Sequence, residues 1–208
     1  MSGLIGSAGS KSGVIGRKGG EVVNLIVDDG YSYNLGWSYN SGVDENETYI
    51  SKDELNLAVD DVYGGLNLLI EGIPVRCKYF DFEFDYKGNS GSNHQGCFWG
   101  NQDINALFGG DSTGYRTTHA STAAFDIRDN QTNSQQTTWN PPHSPADNSW
   151  HHQRVLAPLN SATIYVYIDG VQRLSGSYIP SAPGNVGLVA YAGTTDLLYK
   201  NITFKILD

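Results

Sequence analysis

Apolar and polar positions alternate through most of this chain, and the alternation predicts strands. The cleanest run lies late: Ile164, Val166 and Ile168 alternate with Thr163, Tyr165 and Tyr167, and Asp169-Gly170 separates them from Val171 to Leu174. Asp-Gly between two such runs predicts a hairpin with a type I′ turn, whose central residues both need positive φ. A two-residue turn pairs Ile168 with Val171 and Val166 with Arg173. It puts Ile164, Val166, Ile168 and Val171 on one face and Tyr165, Tyr167 and Leu174 on the other. Neither face is wholly polar, which predicts a place inside a sheet rather than at a wet edge.

Arg76 to Tyr86 reads as the longest strand. Phe80, Phe82, Phe84 and Tyr86 share one face, and Asp81, Glu83 and Asp85 share the other. The period of two is unbroken, so the aromatic face is core, with about 2 kcal/mol of transfer free energy per ring. Leu55, Leu57 and Val59 alternate in the same way, as do Leu66, Leu68 and Ile70. Val22 to Val27 predicts a buried strand stopped by Asp28-Asp29-Gly30, and Val43 to Lys52 an acidic loop. Near the end, Leu198, Ile202, Phe204 and Ile206 alternate with Tyr199, Asn201, Thr203 and Lys205. This predicts a half-buried last strand lying beside the first. Gly88 to Asn148 is the least regular part. It suggests a hairpin turn near Asn89 to Asn93, short strands, and long loops including the rigid Trp139-Asn-Pro-Pro-His143.

Composition agrees with strands. Charged residues make up 17% of the 208, while 25 glycines and 13 tyrosines are many; such a balance favours sheets and turns over helices. The length suits one domain that buries its core without disulfide staples. The net charge of −9 argues against nucleic-acid binding. No apolar run is long enough to span a membrane, and no secretory leader is visible. A turn after Tyr86 sets Cys97 opposite about residue 84 rather than Cys77, which favours two free thiols over a disulfide.

Met1 to Gly20 stands apart. It is rich in Gly and Ser, and Gly-Leu-Ile-Gly at 3–6 is echoed by Gly-Val-Ile-Gly at 13–16. Lys11, Arg17 and Lys18 give it +3, leaving −12 for the rest. Such a segment cannot bury enough apolar surface to fold alone. It is either a frayed tail or an extended arm ordered on a partner through Leu4, Ile5, Val14 and Ile15. The chain thus divides into an arm (1–20) and a sandwich (21–208).

The element order resembles the concanavalin A-like lectin/glucanase jelly roll, a group that includes LamG-like domains. The resemblance rests on the strand running into Asp28-Asp29-Gly30 with Trp37 beyond, on Trp150 leading to Ile164-Tyr-Val-Tyr-Ile168-Asp-Gly170, and on Gly184 to Tyr191 followed by Asn201-Ile-Thr-Phe204. It covers roughly residues 21 to 208 and implies an all-β fold, a two-sheet antiparallel jelly-roll sandwich. Separately, Gly6 to Gly16 resembles the N-terminal segment of bacteriophage virion proteins. That implies a virion surface protein, a capsid decoration or tail-fibre component in several copies. Leu4, Ile5, Lys11, Val14, Ile15, Arg17 and Lys18 would then dock it onto other virion proteins while the head meets a host-surface glycan.

Glucanases of the resembling fold carry Glu-x-Asp-x-Glu on one strand. Asp81-Phe-Glu83-Phe-Asp85 is the comparable pattern, with Asp and Glu exchanged throughout. A retaining pair needs carboxyls about 5–5.5 Å apart, whereas strand residues i and i+4 lie about 13 Å apart at Cα, and short Asp side chains close little of that gap. The pattern therefore reads as a solvated face, with catalysis or calcium binding as alternatives, and predicts no enzyme and no cofactor. Asp28 and Asp29 are a calcium candidate or simply a turn. No histidine has metal-ligand spacing, and His151 and His152 point to opposite faces. Trp99, Trp139 and Trp150, with the many tyrosines and with His143 beside the Pro-Pro turn, are candidates for stacking and binding sugar rings, or else core aromatics. The polar flanks of Trp139 favour exposure.

Overall fold

The computed structural model describes residues 23–24, 37–39, 49–51, 54–59, 63–70, 73–88, 95–103, 113–120, 124–139, 148–191 and 194–207. Residues 1–20, with Leu4, Ile5, Lys11, Val14, Ile15, Arg17 and Lys18, lie outside that set, as do Asp28, Asp29 and His143. The described elements are all strands: β1 (Val23–Asn24), β2 (Trp37–Tyr39), β3 (Tyr49–Ser51), β4 (Glu54–Val59), β5 (Tyr63–Ile70), β6 (Ile73–Pro74), β7 (Arg76–Cys77), β8 (Phe80–Gly88), β9 (Gln95–Asn101), β10 (Tyr115–Ala120), β11 (Ala124–Asp129), β12 (Gln135–Trp139), β13 (His151–Ala157), β14 (Ile164–Ile168), β15 (Val171–Gly176), β16 (Gly184–Tyr191) and β17 (Thr194–Ile206). Among the described residues no helix is long and apolar enough to cross a membrane.

The strands form two antiparallel sheets packed as a sandwich, consistent with a jelly roll. The first runs β15-β14-β13-β8-β17-β4-β3, with β1 also on β17. The second runs β12-β11-β10-β9-β16-β5-β2, with β6 on β5 and β7 on β16. Strand β8 sits at the centre of the first sheet because its alternation is strict. Phe80, Phe82, Phe84 and Tyr86 are all buried, and the residues between them are half-buried. The Phe82 ring meets Phe84 at 5.2 Å and Phe204 at 5.4 Å. From the facing sheet, Trp99, Phe125, Ile127, Val186 and Leu188 complete the core. The first and last strands do lie together, Val23 opposite Phe204.

Several expectations change. The Asp169-Gly170 turn forms with φ of 51° and 76°, and Ile168 pairs with Val171. Val166, however, pairs with Leu174 rather than Arg173, because β15 bulges by one residue there. The extra residue brings Leu174 to the core face, where it is 4% exposed, whereas Val171, still opposite Ile168 beside the turn, is 47% exposed. The hairpin also ends the sheet, since β15 is an edge strand. Strand β17, not the Arg76 run, is longest. It carries a second bulge, because Lys200 lies opposite Asp85 and Thr203 opposite Glu83. Before that bulge the parity is reversed, so Tyr199 rather than Leu198 is buried.

No hairpin joins β8 to β9, since the two strands belong to opposite sheets. Cys97 instead faces Leu188, Cys77 faces Gly184, and both cysteines are buried and form no disulfide. The acidic loop contains β3, and the polar stretch after Gln131 contains the edge strand β12.

Candidate functional site

The outer face of the first sheet gathers what the core aromatics leave exposed. Register places residues in rows across it. One row is Thr203, Glu83, Arg154, Tyr167 and Gln172, and the next is Lys205, Asp81, Leu156, Tyr165 and Ser175. A third joins Lys200, Asp85 and His152. Each carboxylate of β8 thus meets a basic or polar group from a neighbouring strand, as cross-strand pairing favours.

These groups form a continuous ladder. Arg154 donates to Asp81 in bidentate fashion, Nε to Oδ1 at 2.8 Å and Nη2 to Oδ2 at 2.7 Å. That hydrogen-bonded carboxylate raises the Arg154 pKa, against a smaller opposing effect of burial. His152 lies between two acids, its Nδ1 2.8 Å from Asp85 Oδ1 and its Nε2 3.3 Å from Glu83 Oε2. Asn201 Nδ2 donates to Asp85 Oδ2 at 2.6 Å. Arg154 Nε lies 3.4 Å from Glu83 Oε1. The order across the face is Asn201, Asp85, His152, Glu83, Arg154, Asp81.

Two backbone devices hold this ladder. The β17 bulge puts Asn201 at φ 50°, in the left-handed region that asparagine tolerates better than most residues, and the turned backbone brings its amide to Asp85. At the turn, the Asp169 backbone N–H donates to the His152 carbonyl at 2.8 Å. Asp169 Oδ1 accepts the His152 backbone N–H at 2.9 Å, and Oδ2 lies 2.8 Å from His151 Nδ1. His151 stacks on buried Tyr86 while His152 meets the outer carboxylates, so the two histidines do point to opposite faces.

Aromatic rings flank the ladder. Tyr165 and Tyr167 are half-buried, and the Arg154 guanidinium lies 5.8 Å from the Tyr167 ring centre. Half-buried Trp150, just before β13, holds the Lys200 ammonium 3.8 Å over its ring. Of the tryptophans expected on a glycan surface, Trp150 alone falls beside this face. Trp99 is fully buried, its Nε1 donating to the Tyr178 carbonyl at 2.9 Å. Alternation on β9 turns it into the core, where no sugar ring reaches. Trp139 is half-buried at the sandwich edge rather than displayed on a loop, with Phe125 edge-on at 6.5 Å and the Arg173 guanidinium 4.2 Å over it.

The sequence singled out none of Arg154, His152 and Asn201 for this candidate site, and offered Tyr165 and Tyr167 only among the many tyrosines. The alternation of β14 already put its tyrosines on the face opposite Ile164 to Ile168. What no local pattern carried was that β13 and β17 flank β8. Among the described residues, no group of three or more His, Cys, Asp or Glu side chains is placed to hold a metal ion.

No protein-family model matches this chain, and no curated protein matches it. Solved structures do resemble it. The carbohydrate binding module CBM66 from Bacillus subtilis superposes with a TM-score of 0.61 at 15% identity, over 82% of this chain and 95% of that one. The Bacillus licheniformis beta-glucanase gives 0.61 at 15%, over 91% and 99%. A lectin from Bauhinia forficata in complex with GalNAc gives 0.60 at 12%, over 91% and 100%. At such identities the likeness shows a shared two-sheet β-sandwich fold, consistent with a jelly roll, and nothing finer.

Proposed function

We propose that this chain is a non-catalytic glycan-binding β-sandwich module whose ligand lies on the outer face of the first sheet. The observation that carries the reading is the placement of Trp150, Tyr165 and Tyr167 around one ladder of hydrogen-bonding side chains. Sugars present apolar C–H faces and a rim of hydroxyls. Half-buried aromatic rings beside fixed donors and acceptors complement both. Fold neighbours that are a carbohydrate-binding module and a lectin are consistent with it.

The absence of catalysis is part of the proposal. Asp81 and Asp85 are each held at both oxygens by Arg154, His152 or Asn201, which suits a fixed frame better than a nucleophile. A glycan array probed with the wild type, Trp150→Ala and Tyr167→Ala tests the binding claim. Selective binding that both substitutions weaken, in variants that still fold, is expected; an array with no bound glycan sinks it. Glycan hydrolysis by the wild type that Asp81→Asn and Glu83→Gln abolish would instead make it a glycosidase.

For the setting of the module we propose a bacteriophage particle surface, with residues 1–20 as the docking arm. The support is sequence alone: the repeated Leu4-Ile5 and Val14-Ile15 pairs and the +3 charge at Lys11, Arg17 and Lys18 against an acidic remainder. Deleting residues 1–20 should remove the protein from particles while the head still folds. Normal incorporation of the truncated protein would leave a free lectin module as the better reading.

A further inference from the structure

Resting on the glycan-binding reading, we propose that Glu83 is the carboxylate that grips the ligand, and that the ligand is a neutral glycan presenting a vicinal diol. The three acids of β8 are not equivalent. Asp81 is closed by two contacts of 2.7 and 2.8 Å, and Asp85 by two of 2.6 and 2.8 Å. Among the described residues, Glu83 has only the looser approaches of 3.3 and 3.4 Å from His152 and Arg154. Its side chain is 35% exposed, against 18% for Asp81 and 20% for Asp85.

The tight pairs therefore act as a frame. They fix His152 and Arg154 on either side of Glu83 and leave it the most exposed and most loosely held of the three acids. A carboxylate in that position accepts hydrogen bonds from two adjacent hydroxyls at once, and charge assistance strengthens both. Tyr167 lies in the same row as Glu83, one strand beyond Arg154. It offers a ring face to the sugar whose hydroxyls Glu83 holds.

Charge selects the class of glycan. The central position is itself an acid, and the chain carries −9 overall. A sialylated or sulfated sugar brings like charge to that acid and is repelled. Of the cations on this face, Arg154 is committed to Asp81, Lys200 lies over the Trp150 ring, and Lys205 stands opposite Asp81, one row away from Glu83.

The test is an array of neutral, sialylated and sulfated oligosaccharides, each neutral glycan printed also after mild periodate cleavage of its vicinal diols. It is probed with the wild type, Glu83→Gln and Glu83→Asp. The wild type should bind intact neutral glycans and lose them after periodate. Glu83→Gln should weaken binding about tenfold or more, since an acceptor of full charge is lost. Glu83→Asp keeps the charge, withdraws it by one methylene, and should fall between. Binding that prefers sialylated or sulfated glycans, survives periodate, or is unchanged in Glu83→Gln overturns this inference while leaving the module reading intact. Binding to nothing at all overturns the module reading, and this inference with it.

Discussion

Cys97 shows how firmly single atoms are committed inside this sandwich. Its thiol is fully buried, 3.7 Å from both Thr117 Oγ1 and Gln153 Nε2. Burial pushes its pKa up to about 12, with the Thr117 hydrogen bond pulling the other way, whereas an unfolded cysteine titrates at about 8.5. The folded form thus holds the proton longer than the unfolded form. Its contribution to stability is whole below the unfolded value and drains as pH rises toward the folded one, by about 1.4 kcal/mol per pH unit. Urea unfolding at pH 8.5 and pH 10 should show the wild type losing about 2 kcal/mol more than Cys97→Ala; parallel losses would contradict the burial. Gly170 is a second single-atom case. At φ 76° it has nothing within 4 Å of where a Cβ would stand, so Gly170→Ala meets backbone strain alone. It should cost about 1–2 kcal/mol in denaturant unfolding. That turn was legible in the sequence because Asp-Gly is a local signal. The burial of Trp99 was not, since its polar, glycine-rich flanks hide which way β9 faces.

At the scale of elements, two bulges separate what alternation predicted from what the strands do. The period of two placed Phe80 to Tyr86 of β8 correctly, because nothing interrupts it there, but Arg76 and Cys77 of the same expected strand form β7 in the other sheet. In β15 and β17 one extra residue changes the parity, and one residue leaves no mark in composition. Leu174 and Tyr199 therefore enter the core against expectation. The β17 bulge is the one that matters for the ladder, and it separates two roles of Asn201. Asn201→Gly keeps the left-handed backbone and removes the amide from Asp85, while Asn201→Ala removes the amide and adds strain at φ 50°. Thermal unfolding should therefore show Asn201→Ala less stable than Asn201→Gly by about 1 kcal/mol. Both should weaken glycan binding to a similar extent. If Asn201→Gly binds as the wild type does, the Asn201–Asp85 bond contributes nothing to the ladder.

For the whole molecule, the all-β class and much of the core were readable, because the strictly alternating strands announce their own buried face, whereas the short strands β3 and β12 left no such mark. Sheet membership was not. Strands β8 and β9 follow one another in sequence, yet one lies in each sheet, and Phe80 packs on Trp99 at 6.5 Å across the gap. The same logic explains Trp139. As a local pattern it reads as a displayed ring, but β12 and β15 are the edge strands of opposite sheets on one side of the sandwich. Arg173, thrown out by its bulge, reaches over Trp139 at 4.2 Å, and the Tyr178 hydroxyl donates to the Gln136 carbonyl at 3.3 Å. These contacts close an edge that would otherwise offer unpaired strands to another chain. Arg173→Ala should cost about 0.5–2 kcal/mol, the range of a cation–π contact at a partly exposed site. It should speed hydrogen exchange of β12 amides selectively, while leaving glycan binding intact, because the ladder lies on the outer face and not at this edge. Uniform acceleration across both sheets would mean that the clamp stabilises the sandwich globally and that the edge does not open by itself.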